Sequence, residues 1–234
     1  MNDQVRESVR HTGSILPTTE VEEAFWEEGW VRVAGLDEAG RGPWAGPVYA
    51  GAVILPHDAA KLAALRDLPV RDSKTLTPQQ RERSFATICD VASAVGIGYA
   101  DVDEIDTLGI VPATQLAMQR ALKVLEVTPQ ALILDNLTLP LLRLPQKGFP
   151  RADATSLSVA AASIVAKVSR DRWMVETAET TFPGYGFAQH KGYGTPQHRE
   201  ALDRLGVCPL HRRSFRPIAE RLAPPPESAP LPGL

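Results

Sequence analysis

VRVAGLDEAGRGPWAGPVYAGAVIL, residues 31–55, decides the fold. Two runs rich in Val, Ile and Leu flank a turn. Both fall short of helix length, and β-branched residues in such runs suit neighbouring buried strands. Gly40, Gly42, Pro43, Gly46 and Pro47 punctuate the link between them. The first run ends in two adjacent carboxylates, Asp37 and Glu38, followed by Gly40-Arg41-Gly42. An Asp-Glu pair in a turn is commonly a solvated corner, but at the end of a core strand it is costly unless something positive meets it. Gly40-x-Gly42-x-x-Ala45 also matches a loose dinucleotide fingerprint. That reading fails, because the fingerprint must open a helix whose free N–H groups bind pyrophosphate. Here Pro43 has no N–H and a Val-rich strand follows.

The 234 residues can bury a sizeable core in one domain with appendages, and 44% hydrophobic with 23% charged residues is ordinary for a soluble globular protein. No apolar run reaches the ~18–20 residues of a membrane span, and no basic-then-apolar leader opens the chain. Cys89 and Cys208 lack metal spacing and read as reduced core thiols. A cytoplasmic protein is the expectation. Net charge is only −3, but it is uneven: residues 1–30 hold seven acids against Arg6 and Arg10, whereas 189–221 hold seven bases and three of the five histidines. The basic segment is either ordinary surface variation or a face that meets a phosphate backbone.

Outward from the central stretch, residues 1–20 read as disordered or loosely attached and 21–30 as a short acidic helix. Asp58–Asp67 reads as a helix, and Thr77-Pro78 starts another, with Thr at the cap. Asp72-Ser73-Lys74 before it is a polar loop. Residues 91–100 read as a strand, and 103–127 as a short helix, a break at Gly109 and a longer amphipathic helix, with Asp103, Glu104 and Asp106 solvated or capping. ALILDN (131–136) reads as a buried parallel strand ending in Asp135, with a further extended piece around Leu139–Leu144. In 151–176, Asp153, Thr155 and Ser156 suit a helix N-terminus, and Ala160, Ala161, Ala162, Ser163 and Ala166 make a small-residue face. Lys167, Arg170 and Arg172 read as solvated. Tyr185, Phe187 and Tyr193, interleaved with bases, either stack on a sugar or base or pin the loop to the core. Arg212, Arg213 and Ser214 offer phosphate donors, and the tail from Ala223 is Pro-rich.

Four acids stand out: Asp37, Glu38, Asp135 and Asp153. Brought together they would repel, so hard divalent cations, Mg²⁺ or Mn²⁺, are the natural partners. With no Cys/His cluster, zinc is not expected. Two such ions can clamp an in-line attack of water on a phosphodiester.

Seven blocks in order, DEAGRGPWAGPV, DSKTL, IDTLGIVPAT, LILDN, DATSLSVAAASIVAKVSRD, HKGYGT and HRRSF, resemble the type 2 ribonuclease H (ribonuclease HII) family over about residues 31–217. The resemblance implies an α/β, ribonuclease H-like fold: a mixed central sheet flanked by helices, with a mostly helical C-terminal portion. Residues 1–30 are then an N-terminal extension, 31–217 the catalytic domain and 218–234 a tail. It implies metal-dependent hydrolysis of RNA in RNA–DNA hybrids and incision 5′ to ribonucleotides embedded in duplex DNA, leaving 3′-hydroxyl and 5′-phosphate ends, by a protein expected to be monomeric. A nuclease of the same fold acting on branched DNA is the alternative. Carried over by residue, Asp37, Glu38, Asp135 and Asp153 hold two cations. Gly40-Arg41-Gly42 senses the ribose 2′-hydroxyl, and Ser73, Lys74, Tyr193, Arg212, Arg213 and Ser214 contact substrate, with Tyr185 as fallback for Tyr193. Adjacent strand residues point to opposite faces, so Asp37 is expected to be central and Glu38 peripheral. Departures are Asn136 and Ala152 where the family has glycine, and Trp44 where it often has Leu.

Overall fold

The computed structural model describes residues 16–66, 70 and 73–223. The disorder expected of residues 1–15 and of the tail beyond Ala223 falls outside these residues, as does Asp72.

The two runs of the central stretch form β1 (Val33–Ala39) and β2 (Val48–Ile54), paired antiparallel with Asp37 opposite Gly51. β3 (Ala94–Ala100) pairs antiparallel with β2, while β4 (Ala131–Asp135) runs parallel to β1 and β5 (Gln146–Phe149) parallel to β4. The order β3-β2-β1-β4-β5 makes a mixed five-stranded sheet. Its middle strand ends in Asp37 and Glu38, and the parallel neighbour ends in Asp135. The extended piece expected at 139–144 lies instead at 146–149. Residues on either side of Pro140 form a turn, and only beyond Pro145 does the chain pair with β4.

Helices cover both faces. α5 (Ile110–Lys123) packs on β2 and β3, burying Ala113, Ala117, Met118 and Ala121 against Leu36, Ala50 and Ala52. α6 (Leu157–Trp173) covers β1 and β2 from the other side, and its small residues allow a very close approach. A β-carbon on Gly35 would lie 2.3 Å from the Ser158 carbonyl carbon, and one on Gly51 would lie 2.4 Å from the Ala162 oxygen. The expected helix starts are present. Thr77 caps α3 (Pro78–Val91) in a reciprocal box with Gln80, and Gly109, at φ +83°, separates α4 (Val102–Leu108) from α5. Beyond α6 the chain is mostly helical, including Pro196–Leu205 and Arg216–Leu222, around Phe187, Met174 and Ile218.

The segment ahead of β1 is tied in more tightly than its sequence implied. The Thr18 N–H donates to the Thr155 carbonyl (3.0 Å), and the Leu157 N–H donates back to the Thr18 carbonyl (2.9 Å). In α1 (Glu20–Glu27), Glu22 is fully buried. Its Oε1 accepts from the Ser158 N–H (2.8 Å) and from the hydroxyls of Ser156 (2.6 Å) and Ser158 (2.5 Å). A carboxylate at the first turn of α6 satisfies helix N–H groups and complements the helix dipole. Residues from Thr18 onward are therefore part of the folded unit.

Because Gly51 leaves no room for a methyl group beneath α6, Gly51→Ala is expected to destabilise the chain by about 1–3 kcal/mol through overpacking. Urea unfolding midpoints of the two proteins check this; equal midpoints would show that the helix–sheet gap is wider than described.

Candidate active site

Asp37 and Glu38 leave β1 side by side, and the Glu38 N–H donates to Asp37 Oδ1 at 2.7 Å. Asp37 is buried and Glu38 partly exposed, in line with an inner and an outer carboxylate. Burial, then the charge of Glu38, holds Asp37 well above the usual carboxylate range; Asp135 adds to the rise, and hydrogen bonds from the Ser163 hydroxyl and the Glu38 amide oppose it. Burial also raises Glu38, against the pull of Arg41, whose Nη1 lies 3.3 Å from Oε1. Asp135 thus acts on both members of the pair, as the parallel register of β1 and β4 requires.

Asp135 Oδ1 accepts the Ala152 N–H at 2.8 Å, which ties the end of β4 to the short 3₁₀ turn Ala152–Ala154. That turn carries Asp153, buried, immediately ahead of α6. The residues at both glycine departures fit this geometry. Asn136 takes the left-handed conformation (φ +50°) that Asn tolerates better than most residues, and the other positive φ falls on Arg151 (+60°), leaving Ala152 inside the turn.

The acids form an open rim rather than a closed cage. Among the described residues, no group of three or more His, Cys, Asp or Glu side chains has the spacing of a preformed metal cluster. The donor set nevertheless suits a hard cation: all the donors are carboxylate oxygens, burial and then the charge of Glu38 hold Asp37 toward its protonated form, and Glu38 Oε2 is buried without a hydrogen-bond partner.

Beside the rim lies a cleft of about 460 Å³ lined by Glu38, Gly40, Arg41, Gly42, Ser73, Lys74, Arg81, Lys167 and Tyr193. Tyr193 is 45% exposed, and a β-carbon on Gly42 would lie 3.9 Å from its ring, so the glycine loop and this tyrosine face one opening. Lys74 is exposed there. Arg81 and Lys167, the latter read as solvated, also border a neighbouring hollow of about 600 Å³ with Arg172 and Lys191.

Other expected contacts have different places. Ser73 borders the cleft but is buried, and its hydroxyl is engaged with that of Ser163 at 3.0 Å. Ser214 donates its hydroxyl to Asp106, which also accepts the N–H groups of Arg213 and Ser214 (2.8 and 2.9 Å). The Arg213 side chain stays exposed. Tyr185 is buried, and its hydroxyl donates to the Gly206 carbonyl at 3.0 Å; it pins the loop.

Arg212 is the largest correction. It is fully buried, and its guanidinium donates to the carbonyls of Gly46 (2.9 and 2.7 Å), Arg41 (2.9 Å) and Gly40 (2.6 Å). Arg170, read as solvated, is equally buried and donates to the carbonyls of Pro47, Ala45 and Lys191 (3.0–3.2 Å). Burial, then the charge of Arg170, pulls Arg212 down to about 9, so it is still cationic at neutral pH.

Behind Arg212 lies a histidine relay that the sequence did not reveal. His211 Nδ1 accepts the Cys208 N–H (2.9 Å), which places its proton on Nε2, facing His198 Nε2 at 3.0 Å. His198 therefore carries its proton on Nδ1 and donates to the Tyr193 carbonyl at 3.0 Å. Both rings are fully buried, and burial pulls each down to about 4.

Comparison with known proteins agrees with this architecture. A family model described as Ribonuclease HII matches residues 34–218. A ribonuclease HII of Dehalococcoides mccartyi is 49% identical over 205 residues, covering 88% of this chain and 95% of the relative. One from Thermus thermophilus is 50% identical over 200 residues, covering 86% and 93%. The crystal structure of the ribonuclease H2 from Pyrococcus horikoshii OT3 aligns with a TM-score of 0.66 at 30% identity, over 81% of this chain and 96% of that one.

The relay has a pH consequence. An unfolded histidine binds a proton near pH 6.5, whereas these bind only near 4, so the unfolded chain holds more protons in between. Their contribution to stability is complete above about pH 6.5 and is lost as pH falls toward 4. The stability difference between wild type and His211→Asn, measured by urea unfolding, is expected to shrink across that window; a constant difference would contradict it.

Proposed function

Since the chain belongs to the ribonuclease HII family, and is by that membership a phosphodiester-cleaving enzyme of the ribonuclease H kind, we propose that it incises 5′ to ribonucleotides embedded in duplex DNA, besides cutting the RNA strand of RNA–DNA hybrids. The products are 3′-hydroxyl and 5′-phosphate ends. The observation that carries this reading is the placement of the carboxylate rim beside a cleft shared by Gly40–Gly42 and Tyr193. In one opening stand a site for phosphodiester chemistry and a backbone surface near enough to meet a sugar.

In this reading Asp37, Glu38, Asp135 and Asp153 hold two divalent cations, Mg²⁺ or Mn²⁺, with Asp37 the innermost ligand. The chemistry that two such cations supply when bound is stabilisation of negative charge on the attacking and leaving oxygens of the phosphodiester. The chain's own side chains do the rest. Lys74 and Arg81 offer positive charge to the backbone of the bound strand. Gly40–Gly42 approaches the ribose closely, because no side chain intervenes at either glycine, and reads the 2′-hydroxyl that alone distinguishes RNA from DNA at a site. Tyr193 presents its ring to the sugar beyond the junction. Ser73 and Arg212 support this surface from within, Ser214 is tied to Asp106, and direct contact with substrate is not assigned to them.

The test is a duplex with a single ribonucleotide beside its all-DNA twin, each with Mg²⁺, Mn²⁺ or excess EDTA, with product ends mapped. Cleavage of the first alone, dependent on added metal, is expected. Asp37→Asn should lower the rate by at least about 10²-fold while duplex binding persists, because the innermost ligand is lost. Cutting of the all-DNA twin would indicate a nuclease with a different target, and full activity of Asp37→Asn would remove Asp37 from the chemistry.

A further inference from the structure

Two arginines, Arg170 and Arg212, lie beneath the Gly40–Gly42 loop, both fully buried. Every hydrogen bond recorded for their guanidinium groups ends on a main-chain carbonyl. Burying a guanidinium is unfavourable unless its donors are satisfied. Here the five-donor fork of Arg212 gathers oxygens from both ends of one loop, those of Gly40 and Arg41 and that of Gly46.

The geometry of the peptide unit carries the argument further. In a trans peptide the carbonyl of one residue and the N–H of the next point in opposite directions, and the described residues contain no cis bond. With the carbonyls of Gly40 and Arg41 turned down onto Arg212, the N–H groups of Arg41 and Gly42 must point up, away from it. That is the side on which the loop lines the cleft. Among the described residues neither N–H donates to a main-chain carbonyl. Gly40 makes the arrangement possible: at φ +96°, a β-carbon there would lie 2.0 Å from Arg170 Nε.

We propose that Arg212, with Arg170 beside it, is the positioning residue that sets the sugar specificity of this enzyme. By fixing the loop's carbonyls inward it presents two amide donors to a 2′-hydroxyl oxygen, which a deoxyribose lacks. This rests on the junction-reading function proposed above and assigns its selectivity to residues that never touch the substrate. Lysine cannot replace arginine here. It keeps the charge, but its single nitrogen cannot span carbonyls at both ends of the loop, so the peptide planes are released to rotate.

The experiment measures binding of the full chain, with Ca²⁺ in place of Mg²⁺ or Mn²⁺, to a fluorescent duplex carrying one ribonucleotide and to its all-DNA twin. The quantity read is the ratio of the two Kd values for wild type, Arg212→Lys and Arg170→Lys. Circular dichroism at the assay temperature confirms that each variant is folded. Wild type is expected to prefer the ribonucleotide duplex. Arg212→Lys should lower that preference by about fivefold or more, the scale of one or two lost hydrogen bonds, while all-DNA affinity changes less than about twofold. Arg170→Lys should act in the same direction and serves alone if Arg212→Lys fails to fold. A folded variant that loses affinity for both duplexes equally, or keeps the wild-type ratio, overturns the assignment. If wild type itself shows no preference, the junction-reading function fails instead.

Discussion

The approach of α6 to the sheet is the constraint on which the rest of the structure depends. Gly35 and Gly51 lie under Ser158 and Ala162 with no space for a methyl group on either strand. Interiors are close-packed and do not stretch, so this contact fixes the height of α6 above β1. Asp37, Ser163 and the turn holding Asp153 take their positions from it. A carboxylate at a strand end and a hydroxyl halfway along a helix meet because glycine and alanine let two backbones touch.

The charges within this frame are balanced by different means at different depths. At the rim, Arg41 faces Glu38 directly. Further in, hydroxyl and amide donors act on Asp37 against burial and the repulsion of Glu38 and Asp135, and it is held well above the usual carboxylate range. Beneath the loop the sign reverses, and two buried cations are satisfied by carbonyl dipoles alone. Apart from the Arg41–Glu38 pair at the rim, Asp37 and the two buried arginines thus occupy adjacent layers without pairing with one another. In the proposed function the site receives both cations and phosphates, and that separation suits it, since a direct Arg–Asp pair would satisfy both partners and leave neither for a ligand.

Much of this was legible in the residues. Strand runs, the Thr77 cap, the break at Gly109 and the four acids at strand and helix ends all rest on local chemistry, which a sequence displays directly. Arg170 and Arg212 were misread because charged residues are mostly solvated, and a single sequence does not show what lies beneath a loop more than a hundred positions away. One signal was present: Ala162, Ala166 and Arg170 follow at four-residue intervals, which places the arginine on the buried stripe of α6. Glu22 gave no such sign among the other acids of α1. The histidine relay was hidden for a related reason. His198 sits in the first turn of the helix Pro196–Leu205 and His211 beyond its end, and only the fold brings their rings together.

The anchorage of Thr18 and Glu22 also bears on where this fold begins. The region recognisable by family likeness opens at residue 34, at the start of β1, yet the hydrogen bonds that close the first turn of α6 come from some fifteen residues earlier. Kinship and self-sufficiency therefore have different borders in this chain. The shorter stretch is enough to be recognised, but the start of α6 is braced by residues that lie outside it.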